Sequence, residues 1–334
     1  MLDIDRRSLL AGSAALTAAG ALLPMIGTPA AAQTPPVGKQ NAGWYRYKVG
    51  THEVTVVTDG ATRYNKIPEN FVVGKSRDEV NAALAAAFLQ PAPDTISISY
   101  TPIAVNTGTK LVVIDTGTGE ANFARSKGAA GQFQGNLKAS GIDADQVDTV
   151  IISHFHGDHI NGLLNADNKP AFAKAEILVP SVEWQYFMDD AEMGKQTTDR
   201  MKGVFANVRR VFDALGRKVT PYEAGKEIAP GITSVATPGH TPGQNSHIIS
   251  SGNSKVFVQA DVTNMPLFVR NPGWHLSFDQ DANMAEATRR KVYDMLAAER
   301  MMVQAFHYPF PAVAYIEKTS TGYRETMVPW SSTL

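Results

Sequence analysis

Three histidines and one aspartate fall within the six residues His154-Phe155-His156-Gly157-Asp158-His159, in a chain that has eight histidines in all. Imidazole nitrogen suits zinc, iron, cobalt or nickel, and carboxylate oxygen suits harder cations. One tetrahedral ion does not need this many donors from a single segment, so the spacing points to two ions sharing one loop. Two ions need further ligands, and the chain offers them singly. His240 sits in Thr237-Pro238-Gly239-His240-Thr241-Pro242-Gly243, Asp261 ends the apolar run Val256–Asp261, and His307 follows Val303-Gln304-Ala305-Phe306. Each lies just after a strand-like run, where a loop can aim a side chain while the strand holds it still. With no cysteine in the chain, a transition-metal site must be built from histidine and carboxylate.

The elements that would position these residues are short strands. Val147–Ser153 is a continuous apolar run that delivers the chain into His154; it reads as a strand buried on both faces. Glu53–Gly60, Ala175–Pro180 and Ile232–Gly239 are further strands. Thr95–Gly117 reads as one hairpin turning at Asn106–Thr109, with Ile96, Ile98 and Tyr100 on one face. Ser246–Asp261 reads as a second hairpin turning at Gly252-Asn253. A helix is expected from about Ala282 to Arg300, with Met284, Thr288, Val292, Met295 and Leu296 as its inner stripe. Strand clusters with interspersed helices suggest an α/β sandwich.

Composition excludes several classes of function. The 334 residues are 43% hydrophobic and 19% charged, with a net charge of −1. That leaves no basic face for nucleic acid. A Gly-x-Ser-x-Gly nucleophile elbow is missing. Asp115-Thr116-Gly117 has no second Asp-Ser/Thr-Gly to make an aspartic-protease pair.

The full His154-x-His156-x-Asp158-His159 signature, followed in order by His240, Asp261 and His307, resembles the metallo-β-lactamase superfamily. The segments Ala42–Ala61, Leu111–Gly117, Pro238–Gly243, Phe306–Pro311 and Gly322–Trp330 look like its methyl parathion hydrolase group. The resemblance implies an αββα sandwich of two mixed sheets flanked by helices. His154, His156 and His240 would bind one ion, Asp158, His159 and His307 the other, and Asp261 would bridge both. Asp158 and Asp261 are the carboxylates assigned to catalysis as well as ligation. Asp115 would lie beneath the metals and orient a ligand histidine. Two divalent transition-metal ions, zinc foremost, would activate a bridging hydroxide. The expected substrates are small esters, lactones or phosphotriesters, with no nucleic-acid partner and a homodimer as one arrangement. Phe123, Trp184, Phe205, Phe268 and Trp274 are candidates to line an apolar pocket. Asn264 stands where acyl-homoserine lactonases carry a tyrosine, and Gln244 where the family often has a further histidine. Rival readings within the same fold are a zinc β-lactamase and a mononuclear iron persulfide dioxygenase. The first usually carries a cysteine ligand or lacks the Asp158-His159 pair, and the second needs fewer ligands than this chain offers.

The N-terminus is a separate object. Arg6-Arg7, an Ala/Gly/Leu-rich stretch and Ala30-Ala31-Ala32 read as a twin-arginine-type leader over residues 1–32 that is removed after Ala32. Residues 33–42 read as a linker and 43–334 as the working domain. The mature protein would be periplasmic or secreted, with no stable membrane anchor after cleavage. Replacing Arg6 and Arg7 by lysine should leave uncleaved precursor in the cytoplasm, detectable by fractionation and immunoblot. Normal delivery of that variant would refute the twin-arginine route.

Overall fold

The computed structural model describes residues 42–90 and 92–334. The expected leader and nearly all of the expected linker lie outside the described residues. The strands are β1 (Trp44–Val49), β2 (His52–Val57), β3 (Gly60–Tyr64), β4 (Ile96–Tyr100), β5 (Ile103–Asn106), β6 (Leu111–Ile114), β7 (Thr149–Ile151), β8 (Glu176–Pro180), β9 (Thr220–Tyr222), β10 (Glu227–Ala229), β11 (Ile232–Ala236), β12 (Asn245–Ser251), β13 (Ser254–Val258), β14 (Met302–Gln304), β15 (Val313–Lys318) and β16 (Tyr323–Met327). One seven-stranded sheet has the order β1-β2-β5-β6-β7-β8-β9, and a second has β10 to β16 in sequence order. Both are mixed. From β6 to β9 the first sheet is parallel, and β13 pairs parallel with β14 in the second.

Alternating side chains on the strands define the layers. In β7, Ile151 points into an apolar cluster with Val112 and Ile114 of β6 and Ile232, Ile249 and Val256 of the second sheet. Val150 points the other way, into a cluster with Phe187, Phe205, Val208 and Phe212 on helices. Being buried on both faces, the strand carries apolar side chains on each, Val150 on one and Ile151 on the other. On the far side, Phe257 and Val303 of the second sheet meet Val292, Tyr293 and Leu296 of the helix Ala282–Glu299. The order is therefore helix, sheet, sheet, helix, the sandwich anticipated from the sequence.

Two local expectations are corrected. Thr95–Gly117 is not one hairpin. The chain breaks at Thr101-Pro102; β4 pairs with β3 in a separate two-stranded sheet, and only β5 and β6 form the hairpin turning at Asn106–Thr109. Pro102 has no N–H to offer a ladder, while the Thr101 hydroxyl bonds the carbonyls of Ala305 and Phe306. The small β3-β4 sheet then packs with the helix Arg77–Ala86 and residues Met265–Phe278 as a separate apolar cluster. The stripe on the helix Ala282–Glu299 is also rotated. Its buried positions are Ala285, Arg289, Val292, Tyr293 and Leu296, and Met284 is exposed. Arg289 is tolerated inside because its guanidinium donates to the carbonyls of Val262, Pro272 and Trp274.

Phe205 lies on the inner stripe of the helix Asp199–Ala214, with Met201, Val208 and Phe212, and its ring centroid is 4.8 Å from that of Phe187. It is a core residue and not a pocket wall. Phe205→Ala should cost about 3–5 kcal/mol of stability, measured by denaturant unfolding, with the metal content of the folded fraction unchanged.

Candidate metal centre

The loop after β7 alternates between core and site. Phe155 is fully buried against Phe212, Phe187 and Trp184, with the Phe212 centroid 4.6 Å away. Its neighbours His154 and His156 therefore project to the opposite side. The backbone N–H of Phe155 donates to the buried carboxylate of Glu183 (3.0 Å), whose other oxygen accepts from the Thr241 hydroxyl (3.0 Å) and the Gly243 N–H (2.8 Å). One carboxylate thus ties the His154–His159 loop to the His240 loop. Burial pushes the Glu183 pKa up to about 7, against the pull of those three donors.

Gly239 shows why the His240 loop is rich in glycine. Its φ of +129° suits glycine, and a Cβ there would lie 2.3 Å from the backbone nitrogen of Ala285. This close approach, with Gln280 N–H and Asp281 N–H donating to the carbonyls of His240 and Gly239, seats His240 against the start of the helix Ala282–Glu299.

The predicted ligands come together as two groups. His154, His156, His240 and Asp261 form one; Asp158, His159 and His307 form the other. His156 Nδ1 is 2.8 Å from His240 Nε2 and 3.2 Å from His154 Nε2. Asp261 lies between the groups. Its Oδ2 is 3.2 Å from both His240 Nε2 and His307 Nε2, and its Oδ1 is 3.2 Å from His159 Nε2. Asp158 Oδ2 is 3.5 Å from His307 Nε2 and 3.8 Å from His159 Nε2.

Outer hydrogen bonds fix which nitrogen each ring presents. His159 Nδ1 meets Asp115 Oδ2 at 2.9 Å, His240 Nδ1 meets Asp279 Oδ1 at 2.7 Å, and His307 Nδ1 meets the Ser99 carbonyl at 2.8 Å. Carboxylates and carbonyls only accept, so these nitrogens carry the proton. Each Nε2 then points its lone pair into the cluster. Asp115 occupies the supporting position expected of it, and it also accepts from the Ser153 N–H and hydroxyl.

These residues suit cations. His159 Nε2 and Asp261 Oδ1 are buried without a hydrogen-bond partner among the described residues. Burial pulls His154 and His156 well below the ordinary histidine pKa, leaving both neutral, as ligands must be. Burial pulls on His159, His240 and His307 as well. Asp261 and neighbouring carboxylates outweigh it, and all three stand above the ordinary value. The surroundings of these three rings favour positive charge.

The cluster opens into a cavity of about 350 Å³, lined in part by Tyr64, Ile98, Tyr100, Leu276 and Phe278. None of the five aromatics proposed from the sequence lines it. Phe205 and Phe268 are fully buried in core clusters, Trp184 packs on Phe212, Trp274 lies beneath Lys75, and Phe123 is half exposed on the helix Ala121–Arg125. The apolar lining comes instead from the β3-β4 sheet and the segment after Trp274. Asn264 lines the cavity and donates to Asp261 Oδ2 at 2.8 Å. Gln244 is buried, with its amide N–H₂ donating to the Thr237 carbonyl.

The description "Metallo-beta-lactamase superfamily" matches residues 101–298, a span that contains six of the clustered residues. The chain belongs to the metallo-beta-lactamase superfamily. Among solved structures, this superfamily member is similar to AidC, described as a dizinc quorum-quenching lactonase, with a TM-score of 0.79, 24% identity and coverage of 87% of this chain and 99% of that one. It is similar to the hydrolase AbOPH at the same TM-score and identity, over 88% of this chain and 100% of that one. An N-acyl homoserine lactonase of Bacillus sp. is 26% identical over 156 residues, 46% of this chain and 54% of the relative. The anti-Pycsar protein Apyc1 of Paenibacillus sp. (strain J14) is 30% identical over 139 residues, 39% of this chain and 52% of the relative. The chain thus spans about half the length of these curated relatives.

Asp279 and Glu183 escaped the sequence reading, since neither belongs to a ligand motif. Asp279→Asn should present either an N–H₂ or a weaker neutral acceptor to His240 Nδ1. Metal affinity should fall about 10–100-fold, read by competition with a chromogenic chelator. Unaltered affinity would show that Asp279 does not hold the ring.

Proposed function

We propose that the chain is an exported, dinuclear metal-dependent hydrolase acting on small esters, lactones or phosphotriesters. The observation that carries the reading is Asp261, which faces both ligand groups at the floor of a substrate-sized cavity. Two divalent transition-metal ions, zinc foremost, would supply a water acidified toward neutral pH and Lewis-acid polarisation of the electrophile. His154, His156 and His240 would hold one ion, Asp158, His159 and His307 the other, with Asp261 shared. Asp115, Asp279 and the Ser99 carbonyl keep the rings in the ligating tautomer. Tyr64, Ile98, Tyr100, Leu276 and Phe278 offer an apolar surface to the organic part of the substrate. Asn264 holds Asp261 where lactonases of the tyrosine type would present a phenol, which weighs toward esters or other lactones over acyl-homoserine lactones. The lactonase descriptions of similar proteins support the substrate class. The Arg6-Arg7 leader pattern supports export.

Purified protein should carry about two transition ions per chain, since the seven clustered side chains form two groups. Asp261→Asn keeps the size and removes an anionic oxygen. Hydrolysis of an activated ester or lactone should fall about 10²-fold or more, with reduced metal content and little loss of thermal midpoint. Near-wild-type turnover with two ions retained would show that Asp261 is not shared. One tightly bound iron, with oxygen consumed on a thiol substrate, would replace the hydrolase by a dioxygenase.

A further inference from the structure

The charges lining the cavity divide into two sets. Asp158 and Asp261 belong to the ligand cluster. The other two charged side chains at the lining are arginines, Arg125 from the helix Ala121–Arg125 and Arg200 from the helix Asp199–Ala214. Neither has a carboxylate partner among the described residues. Arg200 is held in place by two contacts that leave its charge uncompensated: Nη2 donates to the Ser277 carbonyl at 3.0 Å, and the guanidinium lies over the Phe278 ring at 5.3 Å. Arg125 has no hydrogen-bond partner among the described residues. One layer back, Arg210 reaches only the amide oxygens of Asn161, Asn168 and Asn207, and Asn161 itself lines the cavity.

Among the described residues Arg209 is answered by Asp190, Arg270 by Glu325 and Arg290 by Glu286, while Arg63 and Arg300, like Arg125 and Arg200, meet no acid. What sets Arg125 and Arg200 apart is their place, at the lining of the cavity beside the ligand cluster. A guanidinium beside a nest of imidazoles also opposes the binding of cations there. Unpaired guanidiniums at a cavity are suited to a planar oxyanion, which the fork of N–H donors can grip with two bonds. A neutral ester or lactone offers them only uncharged oxygens, without the charge-assisted pairing.

Resting on the hydrolase reading, we propose that the natural substrate carries a negatively charged oxygen group and that Arg200 and Arg125 bind it. The substrate would be a carboxylate-bearing ester or lactone, or a phosphate ester that keeps one ionised oxygen. The same cavity gives its organic part the Tyr64, Ile98 and Phe278 surface.

Matched pairs of chromogenic substrates test this. 4-Nitrophenyl pentanoate and mono-4-nitrophenyl glutarate have similar length and differ by a terminal carboxylate. Dimethyl and monomethyl 4-nitrophenyl phosphate differ by one ionised oxygen. In each case water adds to the acyl carbon or phosphorus, the bond to the aryl oxygen breaks, 4-nitrophenolate leaves, and the proton goes to solvent. Intrinsic reactivities differ within a pair, so the readout is the change each substitution makes. Arg200→Gln and Arg125→Gln should lower kcat/KM for the anionic member about tenfold more than for the neutral one, mainly through KM, and added salt should narrow that gap. An effect confined to the glutarate pair assigns a carboxylate, and one confined to the phosphate pair assigns a phosphate ester; either supports the proposal. Equal effects on both members of both pairs would overturn it. If the metal-loaded protein cleaves none of the four, the hydrolase reading fails while the anion site is still judged, by calorimetric titration with glutarate. Binding about tenfold weaker in the double variant supports the site, and equal binding overturns it.

Discussion

Lone pairs aimed at one another are the constraint on which this structure depends. Imidazole nitrogens 2.8 Å and 3.2 Å apart, with an aspartate between two such groups, compete unless a proton or a metal ion takes up their electrons. Holding them there requires each ring to be fixed from behind. Asp115, Asp279 and the Ser99 carbonyl do so for three rings, and Ser153 Oγ lies 3.1 Å from His154 Nδ1. The groups behind the ligands are buried as well, so the demand for partners passes outward. Asp115 is answered by Ser153, and Asp279 is approached by Arg289 at 3.6 Å, which in turn needs three carbonyls.

The backbone carries part of the same cost. Asp115 has φ 58° and Ala260, next to Asp261, has φ 49°, both in the left-handed region that residues with a Cβ avoid. Asp115 directly follows β6 of the sandwich, and Ala260 lies two residues past the end of β13. Strain of this kind persists where the surrounding structure over-determines it. The two apolar layers on either side of β7 and the layer behind β13 supply that rigidity.

The parts legible in the sequence were those where chemistry restricts the residue type. A transition ion accepts few ligands, so His154, His156, Asp158, His159, His240, Asp261 and His307 announced themselves and came together. The apolar run before His154 could be read because a strand covered on both sides has no polar face. The supporting residues were less legible. Any carboxylate with the right reach could hold His240, and nothing local marks Asp279 as the one. Glu183 was hidden in a helix that reads as ordinary, because two of its three partners are backbone N–H groups and the third, the Thr241 hydroxyl, belongs to no ligand motif. Aromatics could not be sorted into wall and core by type alone; Phe205 shares its helix face with Val208 and Phe212, and that periodicity was the available sign that it packs inward. The hairpin that split at Pro102 failed because alternation along Ile96–Tyr100 does not say which strand will be its neighbour.

The two sheets divide the chain cleanly in sequence: β1 to β9 end at Tyr222, and β10 to β16 begin at Glu227. The four residues between are exposed. Each ligand group draws from both sides of that point, His154 and His156 with His240 and Asp261, and Asp158 and His159 with His307. An ion in either place is therefore a cross-link between halves, closing the chain across the sandwich in a protein that has no cysteine to make a disulfide. Elsewhere the halves are joined by apolar contact and by hydrogen bonds, among them the Glu183 tie and the Thr101 hydroxyl on the carbonyls of Ala305 and Phe306, none of which is covalent. The cofactor of such a molecule is also its rivet: withdrawing the ions would loosen the seam between the two halves at the place where the cavity floor is formed.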